Sequence, residues 1–349
     1  MSALEFMSIL PKVKVLVVMS STFIYGGNKV RHLLTFPPHK KAISWADMNR
    51  LIQSVIPYPG GKAGLVSRIV PLLEWVARQY NLLGYIEATG GACRCLLNID
   101  PTLFKHRIYS DVDYPLVCLW HVLGNEELTE KLIRKLSRQN YSEEVFNKAL
   151  VIRKRDNELA RQGRFRETSE YVNAAADTFV VACQSYAGGM KSYARSVVIE
   201  KRKLYFERVL GLSQFTRILS GVEVMRKDCR KLIEEFKTRE DYLIYCDPPY
   251  DPKAMKGNKH YEFSWNREDH INFRDLIKDT DSYMVISGYA SDIYDELENN
   301  GWQKVFLKNK HIGMSGSSDR EAEYIYINFE ISDELRAIIS SREEPTFRR

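Results

Sequence analysis

The sequence predicts an α/β fold, a parallel sheet interrupted by a helical insertion, and three observations predict it. A helical stripe, apolar at 65, 66, 69, 70, 73 and 76, is followed by two short strands, Gly84–Ala88 and Arg107–Ser110. Such alternation of helix and strand belongs to parallel sheets. Residues 116–182 then change to a mostly helical, charge-rich pattern, which ends in a loop-like stretch from Ser185 to Arg195. After it the α/β rhythm returns, with strand Gly221–Met225, a helix through Phe236 and strand Tyr242–Cys246. Further strands are expected at Ser282–Ser287, Lys304–Leu307 and Tyr324–Phe329.

With 349 residues, 44% of them hydrophobic and 28% charged, the chain makes one large domain or two modest ones and is neither disordered nor fibrous. No apolar run approaches the ~20 residues that cross a bilayer. The longest candidate, Val13–Tyr25, is broken by Lys14 and by Ser20 to Thr22, and has no clean cleavage site for a secretory signal. Six cysteines (Cys93, Cys95, Cys118, Cys183, Cys229, Cys246) lie in apolar segments without zinc spacing, which reads as reduced thiols and a cytoplasmic protein. The seven histidines show no HExxH or clustered pattern, so no metal is expected.

The net charge of +6 is unevenly spread. Residues 1–50 hold seven Lys/Arg against two acids, and residues 131–217 hold eighteen against nine. Such blocks suit a polyphosphate partner, although for charge runs alone a solvated helical face is the preferred reading. Residues 1–47 lack periodicity and carry the turn signals Gly26-Gly27 and Pro37-Pro38, so they read as an N-terminal extension. Of its two readings, a dispensable extension is preferred over a basic arm.

The sharpest chemical feature is Asp247-Pro248-Pro249-Tyr250, directly after an apolar strand. The two prolines stiffen the turn and remove backbone donors, leaving carbonyls as acceptors. A carboxylate beside such a carbonyl can grip an exocyclic amino group, and Tyr250 offers a face to a planar base. An ordinary strand-end turn is the plainer alternative. Upstream, Tyr58-Pro59-Gly60-Gly61-Lys62 precedes a helix, where amides and a cation suit an anionic group. Glu87-Ala88-Thr89-Gly90-Gly91-Ala92-Cys93 reads as a strand-to-helix turn. Asp111 ends the next strand twenty residues beyond Gly91, the spacing at which an acid receives a ribose in nucleoside-binding α/β folds.

Together these motifs resemble the Dam-type DNA adenine-N6 methyltransferases, in the order with a recognition insert ahead of the catalytic tetrapeptide. The family's PxGGK-like segment is similar to Tyr58–Lys62, its E-P-F-x-G-x-G element to Glu87–Cys93, its strand-end acid to Asp111 and its third acid to Asp228. Tyr261, Trp265 and Asp269-His270 resemble the family's Y-x-x-x-F-x-x-x-D-H segment, and Glu323–Asn328 its closing E-x-L-I-x-N strand. The resemblance spans about residues 54–330. It implies a Rossmann-like, seven-stranded S-adenosylmethionine-dependent methyltransferase sheet, with residues 48–124 and 218–335 forming the catalytic domain. Residues 125–217 become a helical target-recognition insert, and 336–349 a C-terminal tail.

By resemblance, S-adenosylmethionine is the cofactor, held by Tyr58, Lys62, Glu87, Thr89, Gly91, Asp111, Asp228 and Asp247. Double-stranded DNA is the substrate, with Lys191, Tyr193 and Arg195 as contacts. Asp247, Pro248, Pro249 and Tyr250 act on a flipped adenine. A cognate restriction nuclease, a phage context and a housekeeping role all stay open. Thr89 replaces the family aromatic, Cys93 the second glycine, and Tyr58 a common Trp. The recognition hairpin pattern becomes Gln184-Ser-Tyr-Ala-Gly-Gly, so no GATC specificity is implied. Rival readings are an N4-cytosine methyltransferase and a catalytically silent DNA-binding relative. Cys246 precedes Asp247 at a strand end and reads as a packed residue rather than a nucleophile.

Overall fold

The computed structural model of the chain describes residues 51–60, 62, 64–195, 198–251, 263–311 and 320–340. The expected extension 1–47 and Tyr261 lie outside these residues. Seven strands form one sheet: β1 (Gly84–Glu87), β2 (His106–Asp111), β3 (Val222–Arg226), β4 (Tyr242–Cys246), β5 (Tyr283–Tyr289), β6 (Gln303–His311) and β7 (Arg320–Ile327). Their order is β3-β2-β1-β4-β5-β7-β6, and only β7 runs antiparallel to its neighbours. This is the Rossmann-like sheet the motifs imply, with the strands near their expected positions.

The central strands β1 and β4 are buried throughout because helices cover both faces. Side chains alternate between two cores, as a strand period of two requires. Tyr85, Leu243 and Tyr245 enter one, while Ile86, Ile244 and Cys246 enter the other. The first core receives α1 (Val66–Tyr80), and six helices between β2 and β3 enclose it further. These are α2 (Tyr114–Leu123), α3 (Glu126–Ser137), α4 (Glu143–Arg161), α5 (Tyr171–Gln184), α6 (Val198–Leu210) and α7 (Gln214–Leu219). Asp113, Asn125 and Ser142 cap α2, α3 and α4 by accepting backbone amides, which explains where those helices start. On α5, Ala174, Ala175 and Ala176 are buried, small residues that let neighbouring helices approach closely, and Phe179 is buried with them. Leu132, Leu136, Phe146 and Phe179 share one core with Leu72, Leu73 and Leu243, so the helical region is continuous with the sheet. The second core is built by α8 (Cys229–Phe236), α9 (Arg267–Ile277) and α10 (Asp292–Asp295). Among the described residues no helix is long and apolar enough to cross a membrane.

Three expectations need correction. No α-helix follows Gly90-Gly91; residues 91–99 run as successive turns, closed by bonds such as Leu97 N to Cys93 O at 3.1 Å. The expected tail begins too early, because α11 (Asp333–Ser340) buries Leu335 and Ile339, and Ser340 Oγ donates to Phe306 O at 2.9 Å. The boundary drawn at 217/218 falls inside α7.

Asn328 anchors the end of β7. Its Oδ1 accepts from Met284 N at 2.8 Å, and its Nδ2 donates to Ser282 O at 2.8 Å. Asn328→Ala leaves both partners unpaired and should lower stability by about 1–3 kcal/mol, measured by denaturant unfolding. A loss below ~0.5 kcal/mol would show that water replaces the amide.

Candidate active site

The strand order reverses direction between β1 and β4, and a cleft of about 1120 Å³ opens there at the carboxyl ends of the strands. That crevice is where open α/β sheets bind ligands. Tyr58, Lys62, Glu87, Thr89, Gly91, Asp111, Asp228 and Asp247 all line it. Pro249 and Lys191 line it too, whereas Pro248, Tyr250, Tyr193 and Arg195 do not.

The glycine turn is shaped by close contacts. A Cβ on Gly90 would stand 2.0 Å from the Tyr109 ring, so only glycine fits. Gly91, at φ +46°, accepts hydrogen bonds on its carbonyl from Tyr109 Oη and Trp120 Nε1, both at 3.0 Å. Its amide donates to Asp111 Oδ2 at 2.8 Å, while Asp113 N donates to Asp111 Oδ1 at 2.9 Å. Burial, with Asp113 beside it, pushes the Asp111 carboxyl up to about 6. Cys93 stands at φ +54° where the family has glycine. The left-handed backbone is kept, at a cost of about 1–2 kcal/mol for a residue with a Cβ. Its thiol is fully buried in the core rather than turned into the cleft.

Glu87 is also buried, and its Oε2 accepts from Leu96 N at 2.5 Å and Tyr85 Oη at 3.4 Å. Burial raises its carboxyl to about 8. Its observed contacts stabilise the turns after β1.

Asp247 is held from three sides. Thr89 Oγ1 accepts its backbone N–H at 2.6 Å, Ser287 Oγ donates to Oδ1 at 2.9 Å, and Lys62 Nζ pairs with Oδ1 at 2.8 Å. Thr89, in place of the family aromatic, thus ties the ends of β1 and β4 together. Burial raises the Asp247 carboxyl, and the nearby Lys62 cation opposes that shift. Its side chain stays 19% exposed. The expected open face of Tyr250 is absent here. The residue is only 6% exposed, with its ring 4.3 Å from that of Tyr289 and 4.6 Å from Lys62 Nζ. Its hydroxyl accepts from Lys62 and donates to the buried Glu323 at 3.0 Å. Lys62 therefore points at Asp247 and Tyr250, not at an open anion site before α1.

Asp228 caps α8 and binds the Arg230 guanidinium through both oxygens, at 3.0 and 2.8 Å. Burial would raise its carboxyl, but the Arg230 bonds outweigh it and the group lies below the ordinary range. Arg230 also bonds Asp269 at 2.7 Å and covers the Trp265 ring at 5.1 Å, which sets that aromatic in the cleft wall. His270 sits in the first turn of α9, with Nδ1 2.8 Å from Tyr294 Oη. Cys246 is fully buried, as a packed strand residue should be.

Of the expected DNA contacts, Lys191 is exposed on the cleft rim. Tyr193 is half-buried against Tyr141 and Phe146, and the 79%-exposed Arg195 pairs with Glu143 at 2.6 Å. Sequence reasoning missed Lys154 and Arg155, exposed on α4 and lining the cleft beside Lys191. Their signal was the run Arg153-Lys154-Arg155, which a helix splits between one buried and two exposed positions. Among the described residues no cluster of His, Cys, Asp and Glu could hold a metal ion.

Sheet order and the acid-lined crevice together define an S-adenosylmethionine-dependent methyltransferase fold. The model of the D12 class N6 adenine-specific DNA methyltransferases matches residues 58–326, and the chain belongs to that family. It is thus an adenine-specific DNA methyltransferase, and neither the N4-cytosine nor the silent-relative reading is favoured. The family implies a methyl donor of the S-adenosylmethionine type and DNA as the molecule acted on. No curated protein matches the chain.

Glu87 yields a prediction with a definite sign. Its carboxyl is raised from an ordinary 4.5 to about 8, so the folded state binds the extra proton across that window. Its contribution to stability therefore falls as pH rises from 4.5 through about 8. Glu87→Gln keeps an acceptor for Leu96 N and removes the charge, so its melting temperature should fall less steeply over that range. Parallel curves for the two proteins would show that Glu87 is already ionised in the fold.

Proposed function

We propose that the chain is a Dam-type enzyme that methylates adenine within a specific double-stranded sequence, using S-adenosylmethionine, with residues 125–217 docking the DNA. The observation that carries this reading is Asp247, fixed at the cleft by Thr89, Ser287 and Lys62. The lining fits the donor. The half-exposed Asp111 and Asp228 carboxylates suit ribose hydroxyls, Tyr58 and Trp265 offer rings to a purine, and the Gly90-Gly91 turn keeps side chains out of the way. When bound, S-adenosylmethionine supplies an electrophilic methyl group on a sulfonium.

The chain's own residues then act on the adenine. The amino nitrogen is a poor nucleophile because its lone pair is delocalised into the ring. Asp247 and the Pro248 carbonyl accept its two hydrogens, which favours a more tetrahedral nitrogen with its lone pair directed at the methyl. Both observed side-chain contacts to Asp247 fall on Oδ1, so Oδ2 serves the amino group. Lys62 opposes the burial that raises the Asp247 carboxyl, and so acts on the acceptor rather than on the donor's methionine part. Positioning and oriented charge supply most of the catalysis. A base inside a duplex cannot reach this crevice, so the adenine flips out of the stack. Lys154, Arg155 and Lys191 on the rim take DNA phosphates.

Long-read modification mapping of DNA from cells expressing the chain tests the reading. N6-methyladenine at one recurring motif is expected, and unmodified DNA or N4-methylcytosine would overturn it. Asp247→Ala should lower turnover about 10²–10³-fold with duplex binding retained. Near-normal turnover would remove Asp247 from the mechanism. Replacing Lys154 and Lys191 together with alanine should reduce the slope of log K against log salt by about 0.9 for each lost phosphate contact. An unchanged slope and affinity would move the DNA path off this rim.

A further inference from the structure

The end of β2 is fastened to α4 by a buried polar cluster. Asp113 Oδ2 pairs with Arg153 in the interior, and Asp113 Oδ1 accepts from Asn157 Nδ2 at 3.3 Å. Asn157 Oδ1 in turn accepts Tyr114 N at 3.0 Å. Arg153, Asn157 and Asp113 are each at most 3% exposed. The backbone N–H of Asp113 donates to Asp111 Oδ1 at 2.9 Å, and Asp111 Oδ2 receives Gly91 N at 2.8 Å. An unbroken path of polar contacts thus runs from α4 to the glycine turn.

We propose that Arg153 and Asn157 are positioning residues for the methyl-donor site, acting from α4 through Asp113 to fix the Asp111 carboxylate. The inference rests on the reading of Asp111 as a ribose acceptor and goes beyond it, because it makes a helix of the expected recognition region part of the donor site. Geometry supports it in two ways. Asp113 caps α2 through Leu116 N at 3.3 Å, so its side chain is pinned on the helix side as well. In addition, Arg153 directly precedes Lys154 and Arg155, the exposed cations of α4 on the cleft rim. One short stretch of helix therefore faces both DNA and the donor.

The test is calorimetric binding of S-adenosylhomocysteine, with no DNA present, to wild type, Arg153→Met, Asn157→Leu and Asp111→Asn. Arg153→Met should weaken binding roughly tenfold, the lower end of what loss of a ligand's supporting partner does in metal sites. In methylation assays KM for the donor should rise while kcat at saturating donor stays within about twofold, a split that general loosening of the fold does not produce. Because Arg153→Met leaves a buried carboxylate unpaired, Asp113→Asn/Arg153→Met serves as the variant that retains the fold. It should still bind S-adenosylhomocysteine several-fold more weakly than wild type, and Arg153→Lys should recover part of the loss. Wild-type affinity in folded Arg153→Met, or in the double variant, overturns the inference while a weakened Asp111→Asn leaves the site reading intact. Wild-type affinity in Asp111→Asn overturns both.

Discussion

A single carboxylate, Asp111, holds the glycine-turn side of the crevice in shape. It stands at the end of β2 and accepts one amide from the glycine turn after β1 and another from the start of α2. Parallel strands leave their carboxyl ends with unpaired amides, and these amides need acceptors once helices close over them. Asp111 satisfies two of them at once, so the turn after β1 can be tight and free of side chains. Gly90 and Gly91 are then required by the nearness of Tyr109 and by a positive φ. Cys93 accepts the same left-handed backbone and answers its strain with a thiol sunk in the core.

Burial and acid charge meet at this end of the sheet. Glu87, Asp111 and Asp247 are all pushed up by desolvation, but they are not equivalent. Glu87 is 3% exposed and raised to about 8, which suits a hydrogen-bonded support for turns. Asp111 keeps some exposure and is raised to about 6, which suits an acceptor that meets a ligand. Asp247 has a cation at 2.8 Å, so Lys62 offsets part of the cost of ionising it in a dry place. Among the described residues, only Asp247 of the three has a lysine that opposes the desolvation.

Much of this was legible in the sequence. Central strands covered on both faces are largely apolar, so β1 and β4 were legible as short runs, and the acids and glycines at their ends marked the crevice. The position of β7 between β5 and β6 was not legible, because that order depends on long-range pairing rather than on a local pattern. Neither was the Asp113–Arg153 pair, whose partners lie 40 residues apart on elements of different type. The turn after Gly91 read as a helix start because no sequence rule places cysteine at a positive φ. Arg153 looked like one more charge in a basic run, and only its burial separates it from Lys154 and Arg155.

The tetrapeptide itself is closed in this structure, and its closure has a physical reason. Asp247 is a partly buried carboxyl and Tyr250 a polar ring at the end of an apolar strand. Lys62 answers both, by pairing with the carboxylate and by lying over the ring whose hydroxyl also reaches Glu323. An adenine entering the crevice therefore competes with protein contacts rather than with bulk water alone. On the proposed reading its amino group shares Asp247 through Oδ2 without breaking the Lys62 pair, while stacking on Tyr250 competes with the Tyr289 ring 4.3 Å away. The acceptor is thus preorganised and the aromatic face is not, so base recognition and ring movement are coupled in a single step of binding.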